Sequence, residues 1–582
     1  MRPRAVKSDC SSVSMANRQL LVLGYQGTLG PDSDVCDVAG PTRDATRNGH
    51  ATGEISTPWM EAAIEPLLTE AVKQLGSRVP AARRMFGGAP IPSDSLVCIL
   101  RDRLRGILTQ AMAACSETID PFRLTSSNEL VRIFPVLSQL VKRAVVEWAE
   151  AAAVFHNRLH QDGSRLAGWL GVDAMPPIES VCGAASDLHP GGHIVLRVAF
   201  TGGRCLYYKP RPVSGEWLWH RLLAHLAEAE PALCLPAARV LPGSNAGRYG
   251  WAQSVLPWES DSQERQSATE WSSATTAAYW HAAGAMLCLA QQVRLTDLHL
   301  GNMLATPSGP AVTDAECFGT PEVAARSGLS NASDDPETGA MVDSFLDTGL
   351  LPGQSEPGIP DTSGLFGGAG STPGFGLPRW ESMPDGRYRM TLVPAALLDH
   401  GNTPRRTSAV AVLPRMMSGY RQAAEVLTAT RKTLVSPGSL WRSVLEKEHG
   451  PRMVLRKTLT YGILLSESLE PSCLHSEHKR RRAILAALER AAPGNLPKAL
   501  LRTESEALVH LHVPRFVILP GTRTLANGSG RSIRPSFALC TPVAAIMRRM
   551  ESLSPENLEA THLPALLLTV LNNRRSARTE WA

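Results

Sequence analysis

The sequence predicts an α+β fold in which a β-rich centre lies between two helical regions. Apolar residues repeat at helical spacing over residues 136–158, which is typical of an amphipathic helix. The runs HIVLRVAF and RCLYYKP are rich in β-branched and aromatic residues and flank Thr201-Gly202-Gly203, which indicates a β-hairpin. Helical patterns return from about residue 415 onward. Helices, a central hairpin and further helices, in that order, favour the α+β class.

Local signals define further elements. Thr57-Pro58 indicates a helix start, because a capping residue precedes a proline in the first turn. Met303-Leu304-Ala305 and Ala311-Val312-Thr313 are predicted to be short strands around a turn at Pro307–Pro310. Further helices are predicted at about residues 215–229, 275–293 and 476–491.

Three segments lack a clear pattern or a clear role. Residues 1–55 show no sustained periodicity and are predicted to be irregular or mobile. Residues 353–377 form a long loop rich in Gly, Pro and Ser, which could gate a site or be a disordered insertion. The run HKRRR at residues 478–482 is interpreted as a solvated helix face, with contact to an acidic peptide or a phosphate as the alternative.

Composition restricts the classes of protein that the chain can belong to. The 582 residues are 43% hydrophobic and 19% charged, and the formal net charge is +5, which describes a globular chain long enough for several domains. This mild charge permits an anionic partner without requiring one. No segment approaches the roughly 20 apolar residues of a membrane helix. The 11 scattered cysteines include no C-x-x-C pair, which favours reduced thiols and a cytoplasmic location.

The stretch RLTDLHLGNMLATPSGPAVTDAECF, residues 294–318, concentrates polar residues between short apolar runs. Asp297 precedes Asn302 by five residues, and Asp314 follows after the predicted hairpin. In protein kinases a catalytic Asp precedes a metal-binding Asn at this spacing, and a second metal-binding Asp follows on the next hairpin. One carboxylate then meets the attacking hydroxyl, while the Asn–Asp pair holds Mg²⁺ against the nucleotide phosphates. The stretch therefore predicts a kinase-like site.

Lys209 supplies the cation that a kinase-like site needs. It ends the second strand of the predicted hairpin, upstream of Asp297. Taken alone, a lysine after a strand is usually a solvated edge residue, and a single D-x-H is usually a turn. The order of lysine hairpin, Asp/Asn loop and second acidic hairpin favours the functional interpretation. The chain contains no G-x-x-x-x-G-K-[ST] and no G-x-G-x-x-G, so neither a P-loop nor a Rossmann site is predicted.

Longer stretches resemble LanM-type (class II) lanthipeptide synthetases. SDLHPGGHIVLRVAFTGGRCLYYKPRP, residues 186–212, resembles a hairpin of that family with D-x-H, two glycines and YKPR. TDLHLGNMLA…AVTDAE is similar to its TD-x-H-x-x-N…D-x-E signature, and SFLDTGLLP (344–352) to a further stretch. RMVLRKTLTY, residues 452–461, resembles its R…R-x-T-x-x-Y element. Together these stretches span roughly residues 130–575.

The resemblance implies a lipid-kinase-like catalytic core with helical N-terminal and C-terminal embellishments. It implies an enzyme that phosphorylates Ser and Thr of a ribosomally made precursor peptide with ATP and Mg²⁺. The same enzyme would then eliminate phosphate, leaving dehydroalanine or dehydrobutyrine. The implied regions are an irregular N-terminus (1–55), a helical region (56–180), an ATP-binding core (181–345), and a C-terminal region with the Gly-rich loop and a helical elimination subdomain (346–582).

The resemblance also implies a role for each matched residue. An arginine suits elimination, because its planar fork can pair with a departing phosphate; without the motif, a surface ion pair would be the default interpretation. The implied phosphorylation residues are Lys209 on the ATP phosphates, Asp297 and His299 in the catalytic loop, and Asn302, Asp314 and Glu316 on metal and phosphate. The implied elimination residues are Arg452, Thr458, Asp187 and His189.

The chain departs from the family pattern in three respects. Gly301 stands where many members carry a Glu, and His512 occupies a position that is often acidic. The zinc-dependent cyclase of full-length members is not expected, so ring closure would require a separate cyclase or would not occur. Two alternatives stay open: a kinase-like enzyme that phosphorylates without elimination, and a non-catalytic, pseudokinase-like peptide-binding partner. Retention of Lys209, Asp297, Asn302 and Asp314 argues against the second.

Overall fold

The computed structural model describes residues 58–578 apart from several internal gaps. The predicted irregular segment 1–55 and Thr57 lie outside the described residues. The gaps are residues 80–84, 87–88, 92, 117–129, 131, 185, 234, 246, 255–270, 324–335, 354–360, 368–375, 383–387, 395–408, 457 and 492–496.

Three long helices form the N-terminal part of the fold. They are α1 (Pro58–Arg78), α2 (Ser93–Ser116) and α3 (Pro135–Leu170), with the short hairpin β1 (Met85–Phe86) and β2 (Ala89–Pro90) between the first two. Helix α1 begins at Pro58, as predicted. Helix α3 contains the predicted helix over 136–158 and extends beyond it. The indole N–H of Trp148 donates to the Leu96 carbonyl oxygen at 2.9 Å, which ties α3 to α2.

A five-stranded antiparallel sheet follows, with the strand order β3-β4-β5-β7-β6. The strands are β3 (Ile178–Gly183), β4 (Leu196–Phe200), β5 (Cys205–Lys209), β6 (Val240–Pro242) and β7 (Gly250–Gln253). The predicted hairpin is confirmed, since Leu196 pairs with Tyr208 and Ala199 with Cys205. Apolar side chains of this sheet share one buried core with α1, α2 and α3. This packing fixes β5, at whose end Lys209 lies.

A second, larger core surrounds α5. The elements from the sheet to residue 434 are α4 (Ser214–Ala229), α5 (Ser273–Gln292), β8 (Met303–Thr306), β9 (Gly309–Val312), α6 (Pro336–Asp347), β10 (Gly376–Ser382), β11 (Tyr388–Pro394) and α7 (Ala409–Leu434). Ser272 caps α5 by accepting the Thr275 N–H at 3.0 Å. The predicted hairpin after α5 is confirmed as β8 and β9, with the second strand ending one residue earlier. This hairpin positions Asp314 just beyond β9.

The C-terminal part is helical, with one small antiparallel sheet of strand order β12-β13-β14. It comprises α8 (Leu440–Lys447), α9 (Thr458–Ser468), α10 (Pro471–Leu474), α11 (Glu477–Arg490), α12 (Lys498–Val509), β12 (Phe516–Ile518), β13 (Leu525–Asn527), β14 (Ser532–Arg534), α13 (Pro542–Ser552), α14 (Pro555–Asn557), a π-helical turn (Leu558–His562) and α15 (Leu563–Arg578). The predicted helices around 215–229, 275–293 and 476–491 are thus confirmed as α4, α5 and α11.

The interpretation of HKRRR as a solvated face is wrong for its central residue. Arg480 is 1% exposed. Its guanidinium donates to the carbonyl oxygens of Ser468 and Val509 at 3.0 and 2.6 Å. The other four residues of the run are exposed. Arg480 satisfies carbonyl groups at the ends of α9 and α12, which explains why a cation is buried there.

The mixed helices and small antiparallel sheets confirm the predicted α+β class. Among the described residues, no helix is long and apolar enough to cross a membrane. No disulfide joins two of the cysteines that the structure describes.

Candidate functional site

Lys209 lies in a buried ion-pair cluster at the end of β5. Its Nζ atom is 2.8 Å from Glu216 Oε1 in the first turn of α4, and it donates to the Thr313 carbonyl oxygen at 2.8 Å. Asp314 Oδ2 lies 3.8 Å from the same nitrogen. Lys209 is 4% exposed and Glu216 is 3% exposed. The lysine therefore links the sheet, α4 and the segment after β9, and is not a solvated edge residue.

Arg211, two residues further on, reinforces this cluster. Its guanidinium lies 2.7 Å from Glu216 Oε1, 2.7 Å from Asp314 Oδ2 and 3.1 Å from Glu316 Oε2. Burial alone would raise the pKa of Glu216, but Arg211 and Lys209 outweigh this effect and hold its pKa far below the ordinary value. Glu216 is therefore an anion at neutral pH, and it fixes the orientation of both cations.

The predicted catalytic loop follows α5 directly. Asp297 has a positive φ of 64°, a left-handed conformation that is uncommon for residues other than glycine, although Asp adopts it more readily than most. The Asn302 side chain donates from Nδ2 to the Asp297 carbonyl oxygen at 2.9 Å. The Gly301 N–H donates to His299 Nδ1 at 3.1 Å. Asp297, His299 and Asn302 thus form one compact loop, as their spacing predicts.

Part of the Gly-rich segment packs against this loop. The Leu300 N–H donates to the Thr362 carbonyl oxygen at 2.9 Å, and His299 forms an isolated β-bridge with Ser363. A Cβ atom at Gly364 would lie 2.3 Å from the Leu298 carbonyl oxygen. Glycine is therefore required for this close approach. Residues 361–367 of this segment therefore pack directly against the loop, and a gating role stays a prediction.

Asp314 and Glu316 follow β9 and face the cations. The Glu316 N–H donates to Asp314 Oδ1 at 3.0 Å, which fixes their relative orientation. The N-terminus of α4 abuts the residue between them, since a Cβ atom at Gly215 would lie 2.2 Å from the Ala315 carbonyl oxygen. This hydrogen bond and the close approach of Gly215 together fix the positions of the Asp314 and Glu316 carboxylates.

Three guanidinium groups converge on Glu316. Arg452 lies 2.6 Å from its Oε1 atom, while Arg211 and Arg515 lie 3.1 and 3.2 Å from its Oε2 atom. Burial would raise the pKa of Glu316, but Arg211, Arg452 and Arg515 hold it well below the ordinary value. Arg452 is thus not a surface ion pair. Glu316, which was predicted to bind metal, thus contacts Arg452, which was predicted to act in elimination.

The D-x-H pair adjoins the same cluster. Asp187 Oδ2 lies 3.7 Å from a guanidinium nitrogen of Arg452. His189 Nδ1 lies 3.1 Å from the Val513 carbonyl oxygen, and the Val513 N–H donates to the Leu188 carbonyl oxygen at 2.8 Å. Burial, together with the positive charge of Arg452, lowers the pKa of His189 to about 4. His189 is therefore neutral at pH 7.

The Asp297 carboxylate lies beside the buried thiol of Cys317. Cys317 Sγ lies 4.0 Å from Asp297 Oδ2. Burial raises the pKa of Asp297, the carboxylates of Glu316 and Asp314 act in the same direction, and the nearby Arg452 only partly offsets these effects. Burial also raises the pKa of the Cys317 thiol well above its ordinary value. The raised pKa makes the Asp297 carboxylate more basic, which suits a group that accepts a proton.

Thr458 does not join this cluster through a hydrogen bond among the described residues. It is the first residue of α9 and is half-buried. Its neighbours in the RMVLRKTLTY element have a structural role: the buried Glu504 carboxylate accepts from Arg456 Nε at 2.7 Å and from the Tyr461 hydroxyl at 2.7 Å.

Apart from Thr458, the predicted site residues lie close together in the structure. They are Lys209, Asp297, His299, Asn302, Asp314, Glu316, Arg452, Asp187 and His189.

Sequence reasoning did not assign Arg211, Glu216, Arg515 or His449 to this site. His449 Nε2 lies 2.7 Å from the Phe318 carbonyl oxygen, and its Nδ1 lies 2.9 Å from Ser214 Oγ. Arg211 stands inside the quoted YKPR motif, which was a usable signal. Glu216 follows Lys209 by seven positions in the next helix, but no quoted motif contains it. Arg515 and His449 are isolated polar residues far along the chain, and only tertiary packing brings them to the site.

Comparison with known proteins identifies the family of this chain. A family model described as a domain of unknown function, DUF4135, matches residues 134–518. The chain is also 20% identical over 450 residues to the lacticin 481/lactococcin biosynthesis protein LcnDR2 of Lactococcus lactis subsp. lactis. That alignment covers 74% of this chain and 45% of the relative, so the chain spans less than half of that protein's length. The chain therefore belongs to the DUF4135 family and is a LanM-like protein, as its motifs predicted.

Proposed function

We propose that this protein takes part in lanthipeptide modification as a dehydratase, which phosphorylates Ser and Thr of a ribosomal precursor peptide and then eliminates the phosphate. The observation that carries this proposal is the convergence of the two predicted residue sets. Glu316 contacts both Arg452 and Arg211. Arg452 also lies near Asp187, while Arg211 and Lys209 both lie near Asp314. Similarity to a lacticin biosynthesis protein supports a lanthipeptide precursor as the substrate.

A kinase-like core is part of this proposal. Protein kinases pair a strand lysine with a glutamate on the following helix, and this pair positions the nucleotide phosphates. Lys209 and Glu216 form such a buried pair between β5 and α4. The loop with Asp297 and Asn302 and the hairpin leading to Asp314 follow in kinase order. We accordingly assign the ATP-binding core to residues 181–345, the flanking helical region to 56–180 and the elimination region to 346–582.

For phosphorylation, the side chains act by positioning and by charge. Lys209 would contact the ATP phosphates, with Glu216 holding its ammonium group in place. The Asp297 carboxylate would accept the proton of the peptide Ser or Thr hydroxyl as its oxygen attacks the γ-phosphorus atom. The bond between that phosphorus and the bridging oxygen of ATP breaks, which releases ADP. The raised pKa of Asp297 favours this role, because a more basic carboxylate is a better proton acceptor.

Asn302 and Asp314 fit a Mg²⁺ ion. Asn302 donates its amide N–H to the Asp297 backbone, which leaves its amide oxygen as a metal ligand. No group of three or more His, Cys, Asp and Glu side chains suited to a metal occurs in the described part of the chain, and Mg²⁺ characteristically uses one or two protein oxygens with phosphates and water. When bound, Mg²⁺ would neutralise charge on the phosphates. The metal role of Glu316 stays a prediction, and its three arginines favour a role as their anchor.

For elimination, the Cα–H bond of the phosphorylated residue breaks and its proton passes to a base. The electron pair forms the Cα=Cβ double bond, and the Cβ–O bond breaks as phosphate leaves with its electrons. Arg452 would stabilise this departing anion, and its fixed position on Glu316 and Asp187 prepares the geometry. His189, neutral at pH 7, and Thr458 are proposed to assist this step.

The proposal is tested by incubating the protein with ATP, Mg²⁺ and its candidate precursor peptide and following the peptide mass. Loss of water molecules supports the dehydratase. A phosphate gain that never converts would support an enzyme that only phosphorylates. An unchanged mass would support a non-catalytic peptide-binding partner. Ring formation in the product would indicate that no separate cyclase is needed.

A further inference from the structure

Arg515 is a largely buried cation that shares its carboxylate partner with two other arginines. It lies immediately before β12, and 13% of its side chain is exposed. Its Nε and terminal nitrogen atoms lie 3.3 and 3.2 Å from Glu316 Oε2. Both distances are longer than the 2.6 Å between Arg452 and Glu316 Oε1. Arg515 therefore takes the weaker position on a carboxylate that Arg452 and Arg211 already use.

The other two arginines have further carboxylate partners. Arg211 also contacts Glu216 and Asp314, and Arg452 lies 3.7 Å from Asp187. Among the described residues, Arg515 forms an ion pair with Glu316 only. A buried charge is costly unless it is paired. Because Arg452 and Arg211 also contact Glu316, this carboxylate compensates the charge of Arg515 only in part.

Strand geometry directs Arg515 and Arg452 to one face. Arg452 forms an isolated antiparallel bridge with Val517, and the Met453 N–H donates to the Phe516 carbonyl oxygen at 2.9 Å. Arg515 precedes Val517 by two residues. Residues two apart on a strand share a face, and a diagonal cross-strand pair lies within reach of long side chains. Their shared contact with Glu316 agrees with this register.

We propose that Arg515 and Arg452 together bind the phosphate group of the phosphorylated peptide, so that Arg515 is a second phosphate-binding residue of elimination. This inference rests on the proposed dehydratase function. The phosphate would supply the anionic charge that Glu316 provides only in part. Two planar guanidinium groups can offer paired N–H donors to one phosphate as the Cβ–O bond breaks and its electrons pass to the leaving oxygen.

Replacement of Arg515 separates this role from a purely structural one. The Arg515→Gln variant is expected to phosphorylate the precursor peptide within about twofold of the wild-type rate but to eliminate phosphate about 10- to 100-fold more slowly, because one charge-assisted pair is lost. The phosphopeptide should then accumulate in a mass-spectrometric time course. Arg515→Lys keeps the positive charge but loses the planar guanidinium group. Its elimination rate should therefore lie between the rates of the wild type and of Arg515→Gln. Arg534→Gln, an exposed change in the same small sheet, should match the wild type.

A direct binding measurement makes the site testable without peptide turnover. Inorganic phosphate should raise the melting temperature of the wild type, of Arg534→Gln and, less strongly, of Arg515→Lys, but not that of Arg515→Gln. Circular dichroism establishes that each variant is folded. Equal phosphate stabilisation of the wild type and Arg515→Gln would overturn the inference, as would equal loss of phosphorylation and elimination. A wild type that binds phosphate through Arg515 but never modifies the peptide would instead retain the phosphate site and refute the proposed function.

Discussion

Lys209 Nζ and Glu216 Oε1 lie 2.8 Å apart in a pair that is almost completely buried, between the end of β5 and the first turn of α4. Only six residues lie between them in sequence. A buried ion pair costs desolvation free energy, and removing one partner leaves an uncompensated charge. The proposed phosphorylation gives a reason for this cost, because it would require a fixed orientation of the lysine ammonium group.

The Glu216→Gln variant tests this orientation. The amide keeps the shape of the side chain but no longer balances Lys209 and Arg211. We expect the phosphorylation rate of the precursor peptide to fall by at least about 10-fold, since a charge-assisted hydrogen bond contributes roughly 1.5–3 kcal/mol. Glu228→Gln, an exposed change on the same helix, is the matched control. Phosphorylation at the control rate by Glu216→Gln would show that the pair has no part in phosphoryl transfer.

His449 makes stability depend on pH. Burial lowers its pKa to about 4, although its hydrogen bond to Phe318 acts in the opposite direction. In the unfolded chain an ordinary histidine has a pKa near ~6.5. Between these values the unfolded state binds more protons, so the free energy of unfolding falls as the pH decreases from about 6.5 to about 4.

The His449→Gln variant isolates this contribution. At pH 7.5 it should be less stable than the wild type, because the contacts with Phe318 and Ser214 are disturbed. The difference should shrink by on the order of 2–3 kcal/mol as the pH is lowered to about 4.5. Urea unfolding at several pH values measures it. A difference that stays constant with pH would rule out a neutral, buried His449.

The Arg456–Glu504–Tyr461 triad is expected to stabilise the fold rather than to act in catalysis. Glu504→Gln leaves the buried Arg456 without its counter-ion and should lower the free energy of unfolding by about 3–5 kcal/mol. Tyr461→Phe removes one hydrogen bond and should cost about 1 kcal/mol, with peptide modification retained. Glu506→Gln on the exposed side of α12 is the control. Loss of activity in a stably folded Tyr461→Phe variant would assign the hydroxyl to the reaction instead.

Local patterns were sufficient for much of the fold and for part of the site. The Asp297–Asn302 spacing and the hairpin to Asp314 are short-range features, so the sequence itself determines how these residues meet. The β4–β5 hairpin was predictable for the same reason. Contacts between distant segments were not, because periodicity and spacing contain no information about which loops converge. Arg515 and Glu316 are an example, and Arg480 shows how a charge run can conceal one buried member.

The central claim is that one site performs two steps through different residues. It is tested most directly by giving Asp297→Asn and Arg452→Gln two substrates in parallel, the unmodified precursor peptide and the same peptide with a synthetic phosphoserine, and following both masses with time. We predict that Asp297→Asn leaves the unmodified peptide unchanged but eliminates phosphate from the phosphopeptide, while Arg452→Gln phosphorylates the first and leaves the second intact. Identical behaviour of the two variants on both substrates would contradict this account.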